Sequence, residues 1–298
     1  MKIDCSDCTI LVCSCDAYED TWEPFFVLFK KYWPDCSMEI LLNTESKQYV
    51  ADGLNIRCLQ KYQDQTVPYG ERMIAHLKEI QTPFTLVLMD DYFLRRTVDE
   101  DEICRVINWM KEDPRAVVFH LRESEDVRNR ASDRYSGYDL RPVCGRFKYN
   151  FQAAVWRTEY LQRSWKAHET PWEWEGVGNY RSFTKNYDFY TIQKREVPPI
   201  DYGFQHWPWG IVKGKWAVES VDGLFRTNNI HIDYLIRGIY KEEEEITPRI
   251  GVHTRWIMEF RGLKSLGVIG YTKSLLWRIS GRLESPYWRE FVQKLYSR

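Results

Sequence analysis

Two adjacent carboxylates, Asp90 and Asp91, directly follow the apolar run Phe84–Met89, whose length fits a buried strand. Open α/β sheets bind ligands at the carboxyl ends of their strands. Carboxylates this close repel each other unless a cation or strong hydrogen-bond donors neutralise them, and their oxygens suit Mg²⁺ or Mn²⁺ bound together with a diphosphate. The sequence therefore predicts a metal and diphosphate site here. The alternative is that the pair only begins a surface turn.

The elements that must position these carboxylates alternate between short apolar runs and segments of helical periodicity over residues 1–220. This rhythm predicts an α/β fold with a mostly parallel sheet flanked by helices. Strands are expected at residues 8–13, 38–42, 54–59, 84–89, 116–121 and 151–156, and helices at residues 19–33, 71–80 and 158–168 and after the Thr97 and Glu100 capping box. Residues 122–146 are polar and are expected to form a long loop of the kind that commonly carries function.

Four segments of this chain follow one another in a familiar order. They are Ser14-Cys-Asp16-Ala-Tyr18 after the first strand, a Trp/Phe-rich helix, Pro68-Tyr-Gly70-Glu-Arg72 at a helix start, and the strand that ends in Asp90-Asp91. As far as about Glu175, this order resembles the nucleotide-binding half of GT-A-fold glycosyltransferases. The resemblance implies a GT-A-like (Rossmann-like) sheet and a DXD-type motif, here Asp90-Asp91-Tyr92. In such a motif Asp91 binds Mn²⁺ or Mg²⁺, and Asp90 faces the ribose or the donor sugar.

Three residues are candidates for the nucleotide side of such a site. The resemblance implies base and ribose contacts just beyond the first strand, where Asp16 and Tyr18 lie, and a tyrosine ring can stack on a pyrimidine. Departure of a nucleoside diphosphate needs positive charge, and Arg72 at the start of a helix is the candidate cation. The alternative for Arg72 is a surface pair with Glu71 or Asp91.

An inverting transferase also needs a carboxylate that deprotonates the acceptor hydroxyl. Thr170 and Pro171 predict an N-cap followed by a first helical residue, which places Glu173 and Glu175 in the first turn or just beyond. The segment resembles the acceptor-side carboxylate of inverting GT-A enzymes, and either glutamate is a candidate base. The neighbouring Trp172 and Trp174 are candidates for stacking on an acceptor sugar. The alternative is that the acids only complement the helix dipole.

A late segment supplies one further candidate ligand. GT-A enzymes often bring a third metal or phosphate ligand back from such a segment, and His231 is the candidate here, with a purely structural histidine as the alternative. The aromatic loop at residues 206–210 is a second candidate lining for the acceptor site.

Composition limits the other classes of function. The chain has 298 residues with 42 Lys+Arg against 43 Asp+Glu, which disfavours a nucleic-acid partner. No apolar stretch approaches the about 20 residues of a membrane-spanning helix, and residues 1–10 lack the apolar core of a secretory signal, so a cytoplasmic location is expected. The 8 cysteines are expected to be thiols in a reducing compartment, with a zinc site at Cys5, Cys8, Cys13 and Cys15 as the alternative.

The last residues form a separate electrostatic segment. Residues 255–298 carry 9 Lys+Arg against 3 Asp+Glu, a local charge of +6, interleaved with tryptophans and aliphatic residues. We expect a GT-A-like domain at residues 1–250, with a nucleotide-sugar half at about 1–121 and an acceptor half at about 122–250. A basic amphipathic helical tail at 251–298 would follow. The tail would dock peripherally on the inner membrane face. Alternatively, it would pack on its own domain or on a second subunit and form a homodimer.

The resulting hypothesis is a hexosyltransferase-type glycosyltransferase. It would move a sugar from a nucleotide-sugar donor, with a UDP-sugar favoured, to a saccharide or lipid-linked saccharide acceptor, as in bacterial capsule, O-antigen or lipopolysaccharide assembly. The alternatives are a non-catalytic nucleotide- or carbohydrate-binding α/β protein and a metal-dependent phosphohydrolase that uses the aspartate pair. The chain contains no GxSxG, Walker A, HExxH or GxGxxG arrangement, which disfavours the corresponding enzyme classes.

Overall fold

The computed structural model of the chain is built around a large mixed β-sheet. It describes residues 5–62, 66–123, 129–143, 145, 147–176, 178–183, 186–195, 197–203 and 209–241, together with Val268 and Thr272. Its strands and those of a small hairpin are β1 (Cys8–Cys13), β2 (Ile40–Leu42), β3 (Ile56–Cys58), β4 (Phe84–Met89), β5 (Ala116–His120), β6 (Arg130–Ala131), β7 (Tyr138–Leu140), β8 (Ala154–Arg157), β9 (Asp188–Ile192), β10 (Ile211–Val212) and β11 (Lys215–Trp216). The tail at 251–298, apart from two positions, and residues 206–208 of the aromatic loop lie outside the described residues.

The strand order of the large sheet is β3-β2-β1-β4-β8-β5-β9-β7-β6. Within the described residues, seven of these nine strands run in one direction, because only β8 and β7 pair antiparallel to their neighbours on both sides. The expected α/β fold with a mostly parallel sheet is therefore confirmed. The short strand β7 corrects one expectation, since the polar stretch 122–146 is not all loop. Its Tyr138 is fully buried beside β9.

Helices cover both faces of the sheet. They are α1 (Glu19–Tyr32), α2 (Tyr69–Leu77), α3 (Glu100–Glu112), α4 (Thr158–Ser164), α5 (Pro171–Gly176), α6 (Val218–Thr227) and α7 (Tyr234–Arg237). The expected capping box of α3 is wrong in detail. Asp99 is the N-cap, and its carboxylate accepts a hydrogen bond from the Glu102 backbone N–H at 3.0 Å. An Asp at this position satisfies one of the backbone donors that every helix start leaves open.

The hydrophobic core lies in two layers because successive side chains of a strand point to opposite faces. In β1, Ile10 and Val12 pack on one layer and Leu11 and Cys13 on the other. The first layer is completed by the aromatic face of α1 and by α3, and the second by α2 and α4. The strand ends between these layers are therefore held on both sides.

One pair of cysteines departs from the expectation of free thiols, whereas five other described cysteines are free. Cys5 and Cys104 form a disulfide with a Cα–Cα distance of 5.4 Å across a sequence separation of 99 residues. The alternative zinc site is also excluded, because Cys8 and Cys13 are the two ends of β1 and lie about 16 Å apart at the rise of an extended strand. None of the described helices is long and apolar enough to cross a membrane.

Candidate functional site

The Asp90 carboxylate is held by the residues that follow β1. Its Oδ2 accepts hydrogen bonds from the Ser14 hydroxyl and from Thr21 Oγ1, the latter at 3.0 Å. Ser14 Oγ in turn accepts a hydrogen bond from Trp22 Nε1 at 2.6 Å. Burial and then the charge of Asp91 raise the pKa of Asp90 well above its usual value. The end of β4 therefore carries a fixed, buried carboxylate.

The neighbouring Asp91 is oriented differently. Its Oδ1 is buried and accepts no hydrogen bond from any described residue. Burial raises the pKa of Asp91 to about 7, against the opposing effects of a hydrogen bond from its own backbone N–H and of the charge of Arg237. The Asp91 carbonyl oxygen accepts a hydrogen bond from the Gly210 N–H at 2.7 Å. A Cβ on Gly210 would lie 2.1 Å from Phe93 Cε2, so only glycine allows this close approach.

The residues at this edge fit a divalent cation. A buried carboxylate oxygen without a partner costs free energy, and a hard cation would satisfy it. Within the described ranges, the one group of three or more His, Cys, Asp or Glu side chains close enough to share a metal lies elsewhere. The exposed His231 therefore does not join both aspartates in a three-residue cluster. Asp91 would supply the ligand, and oxygens of a diphosphate or water would complete the coordination.

Arg237 is the residue at this edge that sequence reasoning missed. It ends α7, and its guanidinium pairs with the Asp20 carboxylate and donates to the Ala17 carbonyl oxygen at 2.7 Å. The same group lies 4.4 Å from the centre of the Tyr18 ring. Its charge lowers the pKa values of both Asp90 and Asp91. No spacing in the sequence signals it, because its partner Asp20 lies 217 residues earlier.

Tyr18 lies at the same edge, partly exposed, within the 3₁₀ turn before α1. Burial and then the charge of Asp91 raise the pKa of Tyr18 to about 12, so the phenol is neutral at physiological pH. One face of its ring is covered by Arg237.

Asp16 and Arg72 both contact Glu45. The Asp16 carboxylate accepts hydrogen bonds from the backbone N–H groups of Glu45 and Ser46, both at 2.9 Å, and from Lys47. Burial raises the pKa of Asp16, but these hydrogen bonds and that of the Ser46 hydroxyl outweigh burial, so the net pKa is lowered. Arg72 Nη1 pairs with Glu45 Oε1 at 2.6 Å. Asp16 and Arg72 thus hold the loop after β2 in place. Arg72 pairs with Glu45 and not with Glu71 or Asp91, the two partners considered from the sequence.

The two candidate bases differ in their contacts. Glu173 forms a reciprocal capping box at the start of α5: its Oε2 accepts from the Thr170 N–H at 2.8 Å, and its own N–H donates to Thr170 Oγ1 at 3.2 Å. Glu175 Oε1 accepts from the Phe151 N–H at 2.8 Å. Burial raises the pKa of Glu175. Phe151 precedes β8, and the pairing of Val87 with Ala154 brings that segment to the carboxyl end of β4.

A hydrogen-bonded chain joins this segment to the aspartate loop. Gln152 Nε2 donates to the Tyr92 hydroxyl at 3.0 Å, and Gln152 Oε1 accepts from Arg122 Nη1 at 2.7 Å. Burial lowers the pKa of Arg122 to about 10, which still leaves it charged at neutral pH. Tyr92, which follows Asp91, therefore contacts Gln152, which follows Phe151. Because Glu175 is bonded to Phe151, it lies at the same edge of the sheet as the aspartates.

The two tryptophans beside the glutamates have opposite environments. Trp172 is 74% exposed. Trp174 is 1% exposed, stacks on Trp165 with ring centres 4.7 Å apart and on Tyr149 at 5.0 Å, and donates its indole N–H to Ser164. Both ring faces of Trp174 are covered by aromatic neighbours, so Trp174 packs in the core and only Trp172 is accessible to a sugar.

Comparison with known proteins gives no family assignment. No family model and no curated protein sequence matches the chain. Two solved glycosyltransferase structures resemble it. S. aureus TarS 1-349 in complex with UDP-GlcNAc is 12% identical over 66% of this chain and 61% of that chain, with a TM-score of 0.41. The mannosyltransferase PcManGT from Pyrobaculum calidifontis in complex with GDP-Man and Mn²⁺ is 10% identical over 99% of this chain and 82% of that chain, with a TM-score of 0.44. The chain spans 60% of TarS 1-349 and 36% of the longer TarS chain. Likenesses this distant carry no argument about chemistry.

Proposed function

We propose that the chain is a sugar-nucleotide-dependent glycosyltransferase of GT-A type. The observation that carries the proposal is the unpartnered, buried Asp91 Oδ1 beside Asp90 at the carboxyl end of the central strand β4. Tyr18 and Arg237 lie at the same edge, and an aromatic ring with a guanidinium group suits a nucleoside diphosphate. The order of segments along the chain, which resembles that of GT-A-fold glycosyltransferases, supports the same function.

Asp91 would hold Mn²⁺ or Mg²⁺, and the bound ion would act as a Lewis acid that stabilises the negative charge of the leaving diphosphate. Asp90, fixed by Ser14 and Thr21, faces the ribose or the donor sugar. Asp16 and Arg72 shape the loop after β2 on the nucleotide side through Glu45.

We assign the general base of an inverting transfer to Glu175 rather than Glu173. The carboxylate of Glu173 accepts the hydrogen bond from the Thr170 N–H that caps the start of α5. Glu175 contacts the backbone next to Gln152, which itself contacts the aspartate loop, and its raised pKa favours proton uptake. Glu175 takes the proton of the acceptor hydroxyl, and the exposed Trp172 stacks on the acceptor sugar.

The acceptor we propose is a saccharide or a lipid-linked saccharide of a bacterial surface polysaccharide. The basic tail at 251–298 would hold residues 1–250 on an anionic membrane surface, since each cation near such a surface contributes about 1 kcal/mol. Salt-sensitive co-sedimentation with anionic vesicles, lost on truncation at about Gly251, is the expected result. A change of oligomeric state on truncation, with no vesicle binding by the intact chain, would instead identify the tail as a dimerisation element.

The decisive experiment is a thermal shift series with UDP, GDP and CMP, each with and without Mn²⁺, followed by a panel of the corresponding sugar nucleotides. We expect one nucleotide to stabilise the protein only when Mn²⁺ is present, and its sugar nucleotide to be turned over when an acceptor is added. Binding without turnover would identify a nucleotide-binding protein, and release of inorganic phosphate would identify a phosphohydrolase. Either result would reject the transferase.

A further inference from the structure

A second group of potential metal ligands lies at the opposite end of the sheet. Within the described part of the chain, Cys5, Glu100 and Cys104 form the one group whose ligand atoms all lie within 4.8 Å of one another. Cys5 precedes β1, whereas Asp90 contacts the last residue of β1, Cys13. Six residues of extended strand separate the two places by about 20 Å. This group is therefore independent of the proposed transferase site.

The three side chains are brought together by local structure. Glu100 and Cys104 are four residues apart on α3 and so share one face of the helix. Cys5 is held close by its disulfide to Cys104, and both cysteines are buried, at 5% and 1% exposure. Trp33 Nε1 donates to Glu100 Oε2 at 3.3 Å, which orients the carboxylate and leaves Oε1 for another partner.

We propose that reduction of the Cys5–Cys104 disulfide converts this group into a binding site for a thiophilic divalent cation such as Zn²⁺. Two thiolates and one carboxylate are a ligand set that zinc accepts, with a fourth position for water. Bond lengths of about 2.0–2.3 Å from a central ion require ligand atoms roughly 3.3–3.8 Å apart. The bonded sulfurs are closer than this and would separate on reduction, whereas a carboxylate oxygen of Glu100 already lies within 4.8 Å of both. A soft sulfur pair favours zinc over the hard cations proposed for Asp91.

The exchange balances in atoms and electrons. A dithiol reductant supplies two electrons and two protons to the sulfur–sulfur bond and becomes a disulfide itself, which leaves two protein thiols. Metal binding then displaces both thiol protons to solvent. Burial disfavours free thiolates, so the cation is what keeps both sulfurs ionised at neutral pH. The disulfide and the metal site are therefore mutually exclusive states of the same residues.

The test uses Co²⁺ as a spectroscopic probe on the full-length protein. Protein reduced with a phosphine under anaerobic conditions and then desalted is titrated with Co²⁺ while thiolate-to-cobalt charge-transfer absorption is followed. We expect the charge-transfer band to correspond to one thiolate-bound Co²⁺ per chain, to disappear when Zn²⁺ displaces the Co²⁺, and to be absent in the oxidised protein. Trp33→Phe should weaken binding about 10- to 100-fold, the usual effect of losing an orienting partner, and Cys104→Ser and Glu100→Gln should weaken it more.

Cys58→Ser is the matched control, because Cys58 is a free cysteine of β3 outside the group, and its titration should equal that of the wild type. The comparison of oxidised with reduced wild-type protein needs no substitution and holds even if a variant fails to fold. The proposal is wrong if the reduced protein gives no thiolate absorption, if the oxidised protein gives the same absorption, or if Cys104→Ser retains it.

Discussion

The Arg237 guanidinium lies over the Tyr18 ring, 4.4 Å from its centre, and ties the end of α7 to the start of α1 through Asp20. The two residues are more than two hundred positions apart in sequence, yet both border the Asp90–Asp91 loop. Arg237 therefore partly balances the charge of the acidic pair, and under the proposed function it would also meet the diphosphate of the donor.

Replacing this cation should change the titration of the aspartates. In Arg237→Met the pKa of Asp91 should rise above about 7, because its compensating positive charge is lost, and the pH midpoint of Mn²⁺ binding should rise with it. Asp20 would keep only the hydrogen bond from Trp216 Nε1, and the loss of its charged partner should also cost about 1–3 kcal/mol of stability. Arg226→Met is the matched control: Arg226 pairs with Asp222 at 79% exposure, and its loss should cost less than about 1 kcal/mol. Equal effects of both variants would contradict the role given to Arg237.

Asp91→Asn should abolish Mn²⁺-supported nucleotide binding and leave the protein folded. The substitution removes the charge and keeps the shape of a side chain whose buried oxygen has no partner. Calorimetric titration of the nucleotide with and without Mn²⁺ measures the effect. Wild-type affinity in this variant would remove Asp91 from the site.

Stability without metal should depend on pH through the same residue. Because burial raises the pKa of Asp91 to about 7, the folded state keeps a proton that the unfolded state releases near pH 4. The stabilisation is fully present below about pH 4 and is lost as pH rises through 7. Denaturant unfolding at several pH values should show this decline in the wild type and a weaker one in Asp91→Asn. Added Mn²⁺ should restore part of the lost stability near and above pH 7, where Asp91 is ionised.

Glu175→Gln should lower turnover by roughly 10²- to 10⁴-fold with donor binding intact, the usual scale for a positioned proton transfer. A glutamine can still accept the hydrogen bond from Phe151, so the fold should be kept. Glu173→Gln is the control, since glutamine also serves in a capping box, and it should keep nearly full turnover. The reverse pattern would move the base to Glu173.

The two tryptophans separate recognition from packing. Trp174→Ala should cost about 3–5 kcal/mol, because it empties a space between two stacked aromatic rings. Trp172→Ala should leave the melting temperature nearly unchanged and raise the KM for the acceptor alone. An unchanged KM would exclude Trp172 from the acceptor site.

The sequence predicted the strands and helices well where one periodicity covers a whole element. The bounds of β1 and β4 were predicted to the residue, and those of α1 within one, because the two strands are mainly apolar runs with polar flanks and the aromatic residues of α1 recur at helical spacing. The cap of α3 was assigned to Thr97 rather than Asp99, since several polar residues that can cap a helix stand close together.

The features of the structure that sequence reasoning missed depend on contacts between distant segments. The Cys5–Cys104 bond closes a separation of 99 residues, and Arg237 reaches Asp20 across 217. No local pattern encodes such pairs. The sequence indicated the aspartate doublet because the two residues directly follow a clear strand. It could not separate Glu173 from Glu175, because the contact of Glu175 depends on the position of the segment before β8.

The position of β8 has a consequence for how this protein can be divided. β4 and β5 both precede residue 122, and β8, which follows it, is inserted between them with Ala154, Val155 and Trp156 fully buried. A fragment ending at residue 121 would leave one edge of β4 unpaired and β5 without either of its partners, and it should aggregate. The residues before and after position 122 thus share one sheet, so a substitution that loosens β8 should also destabilise β4 and the aspartates that follow it.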